Sequence, residues 1–210
     1  ATAAARARRL NSDIDIPILE AGADVSFANC GLPYYLGGDI EYRSSLILAS
    51  EETFRDQYRV DVHTNTQALR IDREAKSVRA RNTTTGEERD FPYDALILAQ
   101  GGKPVVPPVP GAEGDHVFQL WTLDDMDRID AWVKNEEPQS AVVVGGGFIG
   151  LEMVEALAKR GLDVSLVEML PQVMPNLEGE FAGFLQKELL DYGVDLHLGT
   201  SLEAIDDRAV

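Results

Sequence analysis

The stretch 140–168, "SAVVVGGGFIGLEMVEALAKRGLDVSLVE", constrains the fold more than any other part of this chain. An apolar run reads as a buried strand and enters three consecutive glycines. A helical pattern follows, closed by Gly161, and a second apolar run ends in Glu168. Within it, Gly145, Gly147 and Gly150 make G-x-G-x-x-G between strand and helix, and Glu168 lies 23 residues after Gly145. Each part has a mechanical reason. Gly145 allows the tight turn, Gly147 lets the backbone approach a pyrophosphate, and Gly150 lets the helix pack on the sheet. The free N–H groups of the helix N-terminus attract phosphate. A terminal acid accepts hydrogen bonds from adenosine ribose hydroxyls. Met169 and Leu170 follow it, so a 2′-phosphate would meet a negative charge without a basic partner, which favours NADH over NADPH.

The pattern recurs in half. "ATAAARARRLNSDIDIPILE" (1–20) and "LEMVEALAKRGLDVSLVE" (151–168) share a helix, a turn, a strand and a final Glu, and differ by two residues placed in the turn. Glu20 is then the counterpart of Glu168. A strand and glycine loop before Ala1 would complete a second unit, and the abrupt start reads as a piece of a longer protein. A fortuitous helix–strand pair is the alternative. Two dinucleotide units, the first interrupted by short alternating runs, point to a flavoprotein reductase using one flavin and one nicotinamide nucleotide.

The rest of the chain fits an α/β class with two Rossmann-like units. "DIDIPILE" (13–20) reads as a buried strand, "SEETFRDQY" (50–58) as a helix capped by Ser50, and 60–93 as a strand followed by a β-meander. "ALILAQGG" (95–102) reads as a buried strand running into glycines, with Gln100 and Gly101 where a flavoprotein reductase would close over its flavin nucleotide. The proline-rich "KPVVPPVPGAEG" (103–114) is a stiff connector. It divides an FAD-binding domain (1–114) from an NAD(P)-binding domain (115–210), whose further helices are 122–135, capped by Thr122, and 178–193. "SLEAIDDRAV" (201–210) reads as a strand and a turn.

Nineteen Lys and Arg against 36 Asp and Glu leave a net charge of −17, which repels nucleic acid and anionic membrane surfaces. The longest apolar run is too short to span a bilayer. One cysteine excludes an internal disulfide, and His63, His116 and His197 lack ligand spacing, so no metal site is expected. A reducing cytoplasm is the expected location.

That one cysteine sits in "SFANCGLPYYLGG" (26–38). Asn29 is a capping residue type, Gly31 leaves room beside the sulfur, and Pro33 suits a helix's opening turn. The sequence therefore predicts Cys30 in a first helical turn, where unpaired N–H groups favour an anionic sulfur. The alternative is an inert, buried thiol.

"SFANCGLPYY", "LILAQGGKPVVPPVPG" and "AVVVGGGFIGLEMVEAL" closely resemble the single-cysteine branch of the pyridine nucleotide–disulfide oxidoreductases. That branch holds coenzyme A-disulfide reductase, CoA-dependent NADH persulfide reductase, NADH oxidase and NADH peroxidase. "ANCGLPY" is most similar to the CoA-disulfide and persulfide reductases. The resemblance implies an FAD domain, an inserted NAD domain and a C-terminal dimerisation domain, working as a homodimer. It implies that Cys30 is the redox cysteine against the flavin, and that Thr2, Arg6, Arg9, Ser26 and Asn29 contact coenzyme A. Phe148 matches an aromatic that covers the flavin until nicotinamide displaces it, with Ile149 beside it in the loop, and Glu152 lines the nicotinamide pocket. A solvated helix face (Arg6, Arg9, Glu152) and ordinary helix–sheet packing (Phe148) are the structural alternatives.

Two departures stand out. Gln100 and Gly102 replace Thr and Ala in the flavin-closing strand. The first glycine loop, the final flavin motif and the dimerisation domain are absent, so the fragment is not expected to turn over alone. The expected reaction passes electrons from NADH through FAD and Cys30 to CoA disulfide or persulfide, a small-molecule partner. Oxygen or peroxide as acceptor, with a cysteine sulfenic acid, is the enzymatic alternative, and a non-catalytic redox sensor is the other.

Overall fold

The computed structural model describes residues 1–206. Its helices are α1 (Thr2–Leu10), α2 (Leu32–Leu36), α3 (Glu51–Tyr58), α4 (Leu123–Glu136), α5 (Phe148–Lys159) and α6 (Gly179–Asp191). Its strands are β1 (Pro17–Leu19), β2 (Asp61–His63), β3 (Thr66–Asp72), β4 (Ser77–Asn82), β5 (Glu88–Pro92), β6 (Ser140–Val144), β7 (Asp163–Glu168) and β8 (Asp195–Leu198). Contacts divide the chain into two compact units, one of residues 1–28 and 46–101, the other of residues 29–45 and the chain from 102 onward. Thus the cysteine segment and the proline-rich connector group with the second unit, a division that differs from the linear 114/115 boundary.

In the first unit, β1 and β2 pair in parallel, Ile18 opposite Val62. α1 and α3 supply Ala4 and Phe54 to a buried cluster with Val60, against which Ile16, Ile18, Val25 and Val62 pack. Ser50 caps α3 by accepting from the Thr53 N–H at 3.2 Å. Arg8 ties α1 to the end of α3, donating to the carbonyls of Tyr58 (2.9 Å) and Arg59 (2.7 Å). β3, β4 and β5 form the antiparallel meander, with Val78 and Phe91 paired on its buried face.

In the second unit, β6, β7 and β8 form a parallel sheet in sequential order, crossed by α5 and α6. Leu166 in the central strand is fully buried, and Val154, Leu157 and Ala182 cover the sheet from the helices. Gly161 and Gly193 follow α5 and α6 with positive φ, which stops each helix without a Cβ penalty. Thr122 and Asp125 form a reciprocal capping box on α4.

Several expectations are corrected. "ALILAQGG" forms no strand: among the described residues nothing pairs with it, and Ile97 and Leu98 are exposed. A hydrophobic run becomes a buried strand only where a neighbour takes its backbone groups. β1 is three residues long and half-buried, because the acids and asparagine of 11–15 stay outside the ladder. The run 61–72 breaks in two at Asn65, whose φ of 50° turns the chain between β2 and β3. Residues 201–206 are not a strand, and 207–210 lie outside the described residues. Cys30 belongs to a single 3₁₀ turn, Asn29–Gly31, ahead of α2, and α2 is capped by Gly31, with no side-chain cap from Asn29. Pro33 sits in the opening turn of α2, as its missing N–H favours.

Candidate functional site

The glycine loop lies between β6 and α5. Gly145 has φ of 108°, and its N–H donates to the Val167 carbonyl at 2.8 Å, extending the β6–β7 ladder by one bond. A Cβ on Gly150 would stand 1.9 Å from the Gly145 carbonyl oxygen, so a glycine is required for α5 to start this close to the loop. A Cβ on Gly147 would meet nothing within 4 Å. Gly147 is the N-cap of α5 and offers no side-chain acceptor. The first N–H groups of a twelve-residue helix therefore face open space beside a residue without a side chain, an arrangement that fits a pyrophosphate. Phe148 is 66% exposed and Ile149 is also exposed, so Phe148 is not spent on helix–sheet packing.

Glu168 ends β7 and is buried. Its Oε2 accepts from the Gly146 N–H at 2.6 Å and its Oε1 from the Leu170 N–H at 2.7 Å. Glu20 repeats half of this at the end of β1. Its Oε1 accepts from the Gly22 N–H at 2.7 Å, again two residues on. The main chains match as well: the Glu20 carbonyl accepts from the Thr66 N–H (2.7 Å) and the Glu168 carbonyl from the Thr200 N–H (3.0 Å), each just beyond the paired strand. The internal repeat is thus a repeat of geometry, with Glu20 following β1 as Glu168 ends β7.

Cys30 is exposed. The helix after it packs on α5: a Cβ on Gly37 would lie 3.1 Å from Ala156 Cα. Tyr34 Oη donates to Glu152 Oε1 at 3.4 Å, Lys159 Nζ pairs with Asp39 (2.9 Å), and Arg160 donates to the Leu36 carbonyl (3.1 Å) and Asp130 (3.0 Å). Glu152, with the Glu155 and Cys30 charges adding to it, pushes the Tyr34 phenol above its ordinary value. Arg43 holds the far end of the cysteine segment by a pair to Asp127. The segment bearing the thiol is therefore bolted to the helix that opens at the glycine loop.

Thr2, Arg6 and Arg9 recur at helical spacing, are exposed, and share one face of α1; the opposite side buries Ala4. Among the described residues Arg6 and Arg9 have no acidic partner, and Arg8, unlike them, is engaged by main-chain carbonyls. Ser26 is half-buried, its carbonyl accepting from the Leu48 N–H (3.0 Å), and Asn29 is exposed beside Cys30. Gln100 and Gly101 are exposed, Gly101 with φ of 68°. Thr2, Arg6, Arg9, Glu20, Ser26, Gln100 and Gly101 belong to the first unit; Asn29, Cys30 and the residues from 145 to 168 belong to the second. Sequence reasoning missed Arg8, Tyr34, Gly37 and Gly146, whose roles come from partners distant in the chain. Cavities of about 320 and 310 Å³ lie at Ala23–Val25 with Ser50, Glu51, Glu52 and Arg55, and at Val133–Lys134 with Pro138 and Arg160; neither touches Cys30 or the glycine loop.

A parallel sheet whose first strand enters G-x-G-x-x-G at a helix N-terminus, and whose second ends in a buried acid, defines a dinucleotide-binding protein. The chain belongs to the pyridine nucleotide-disulphide oxidoreductase family, which matches residues 1–210. It is 33% identical to an NADH oxidase of Methanocaldococcus jannaschii over 97% of this chain and 46% of that one. It is 32% identical to a coenzyme A disulfide reductase of Staphylococcus haemolyticus over 100% of this chain and 47% of the relative. A reduced CoADR-RHD of Bacillus anthracis matches at a TM-score of 0.94 and 40% identity, covering 97% of this chain and 37% of its own. An NAD-dependent persulfide reductase of A. fulgidus matches at 0.93 and 36%, covering 98% and 38%. The chain thus spans less than half the length of these relatives.

Proposed function

We propose that this chain is the nucleotide-binding and thiol-bearing part of a reductase that uses NADH to reduce coenzyme A disulfide or persulfide. The observation that carries this reading is the fixing of the exposed Cys30 segment onto α5, through Gly37 on Ala156 and Tyr34 on Glu152. It packs the segment that bears the lone thiol against the helix that opens at the dinucleotide loop.

The glycine loop, Phe148, Ile149, Glu152 and Glu168 would hold NADH. Glu20, Gln100 and Gly101 would hold the nucleotide part of FAD, which supplies the two-electron relay between nicotinamide and sulfur when bound. The unpartnered Arg6 and Arg9, with Thr2, Ser26 and Asn29, would take the phosphates and polar groups of coenzyme A. Cys30 Sγ, as thiolate, attacks one sulfur of the disulfide, forming a mixed disulfide and releasing one CoA thiolate. Two electrons and a proton, drawn from NADH, then cleave the mixed disulfide, releasing the second CoA thiol and restoring Cys30.

The likeness to an NADH oxidase supports a second reading, in which peroxide oxidises Cys30 to the sulfenic acid and NADH-derived electrons return it to the thiol with loss of water. The two separate on one assay of the complete enzyme. NADH consumed with two thiols released per CoA disulfide supports the first; NADH consumed with oxygen or peroxide, and no thiol released, supports the second.

A further inference from the structure

We infer that Glu168 is a positioning residue, the latch that holds the glycine loop in shape. This rests on reading the loop as the NADH site and deepens it. The carboxylate is buried, and both its oxygens are engaged by main-chain N–H groups: Gly146 at 2.6 Å and Leu170 at 2.7 Å. Among the described residues no cation is a hydrogen-bond partner of this carboxylate, so these amides compensate the charge.

The Gly146 peptide is clamped from both sides. Its N–H goes to Glu168, and its carbonyl accepts from the Met174 N–H at 2.8 Å. A Cβ on Gly146 would stand 3.1 Å from Val173 and 3.3 Å from the Glu168 carboxylate, so the fit depends on glycine here as well. The loop after β7 is fixed in turn. Val173 and Met174 are buried, Gln172 Nε2 donates to the Leu177 carbonyl at 2.9 Å, and the Leu170 carbonyl accepts from the Gly199 N–H at 2.9 Å. Glu168 joins this loop to the glycine loop. The side chain of Glu20, its counterpart, is half-buried and, among the described residues, shows only the bond within its own turn.

A residue that merely reads the ribose would affect NADH and leave the empty loop alone. A latch shapes the loop before any nucleotide arrives. Removing the acid therefore loosens the empty loop, so that both nucleotides lose part of the same pyrophosphate cradle while NADPH alone escapes the repulsion of its 2′-phosphate.

The test is amide hydrogen exchange on the 210-residue chain without nucleotide, in wild type, Glu168→Gln and Glu168→Ala, followed by NADH and NADPH titration. Exchange in peptides covering 145–150 and 169–174 should accelerate about tenfold or more in Glu168→Ala. Glu168→Gln should lie between, since an amide accepts one of the two bonds and presents its own N–H groups to the other. If Glu168→Ala does not fold, Glu168→Gln carries the comparison. NADH should weaken by about tenfold, and NADPH by less, since loss of the charge also relieves the repulsion of its 2′-phosphate. Exchange within about twofold of wild type would overturn the latch. Failure of the wild-type chain to bind either nucleotide would sink the reading of the loop instead, and exchange alone would then decide the latch.

Discussion

Gly37 stands against Ala156 so closely that a Cβ added to it would lie 3.1 Å from the Ala156 Cα and 3.4 Å from its Cβ. The cysteine segment meets the dinucleotide helix through this contact of two small residues. Gly37→Val should force the two helices apart and cost about 1–3 kcal/mol in denaturant unfolding. Wild-type stability in that variant would mean that the contact does not set the position of α2.

Gly150→Ala places a methyl 1.9 Å from the Gly145 carbonyl oxygen, a backbone atom that cannot rotate away. The loop must open, and NADH affinity, read by quenching of protein fluorescence, should fall more than about tenfold. Unchanged affinity would show that the loop tolerates a wider turn than the fingerprint requires.

Asp130 links Lys134 on its own helix to Arg160 at the end of α5. Burial works to raise its carboxyl, but the hydrogen bonds from Lys134 and Arg160 outweigh burial and hold it below the usual carboxylate value. A carboxyl depressed in the folded state contributes stability above its unfolded value, about 3.9, and loses it as pH falls toward the folded value. Asp130→Asn should therefore cost about 1–2 kcal/mol at pH 7, with the difference from wild type shrinking below about pH 4. A difference that stays constant down to pH 3 would place the effect elsewhere.

Tyr34 is held above its ordinary value mainly by Glu152. In Glu152→Gln that charge is gone, and the Tyr34 titration, followed by NMR of labelled tyrosine, should move down toward about 10. An unmoved titration would separate the two side chains in solution.

Where the deciding interactions were local, the sequence was readable. Ser50 and Thr122 cap their helices because a hydroxyl three residues before a free N–H needs no distant partner. The glycine loop and Glu168 are legible because strand, turn and helix follow one another directly. "ALILAQGG" misled because a strand needs a neighbour that hydrophobicity does not name. Asn29 misled because capping chemistry does not distinguish an α-helix from a 3₁₀ turn. The packing of α2 on α5 joins residues far apart in the chain, and no local pattern around Gly37 or Tyr34 announces it.

The most direct test of the account is Cys30→Ser in the complete enzyme, with flavin reduction by NADH and thiol release from CoA disulfide measured on the same sample. A hydroxyl in place of the thiol leaves the glycine loop and Glu168 intact, but cannot form the mixed disulfide. The account predicts that flavin is still reduced by NADH while thiol release falls by several orders of magnitude. Thiol release near the wild-type rate would contradict it.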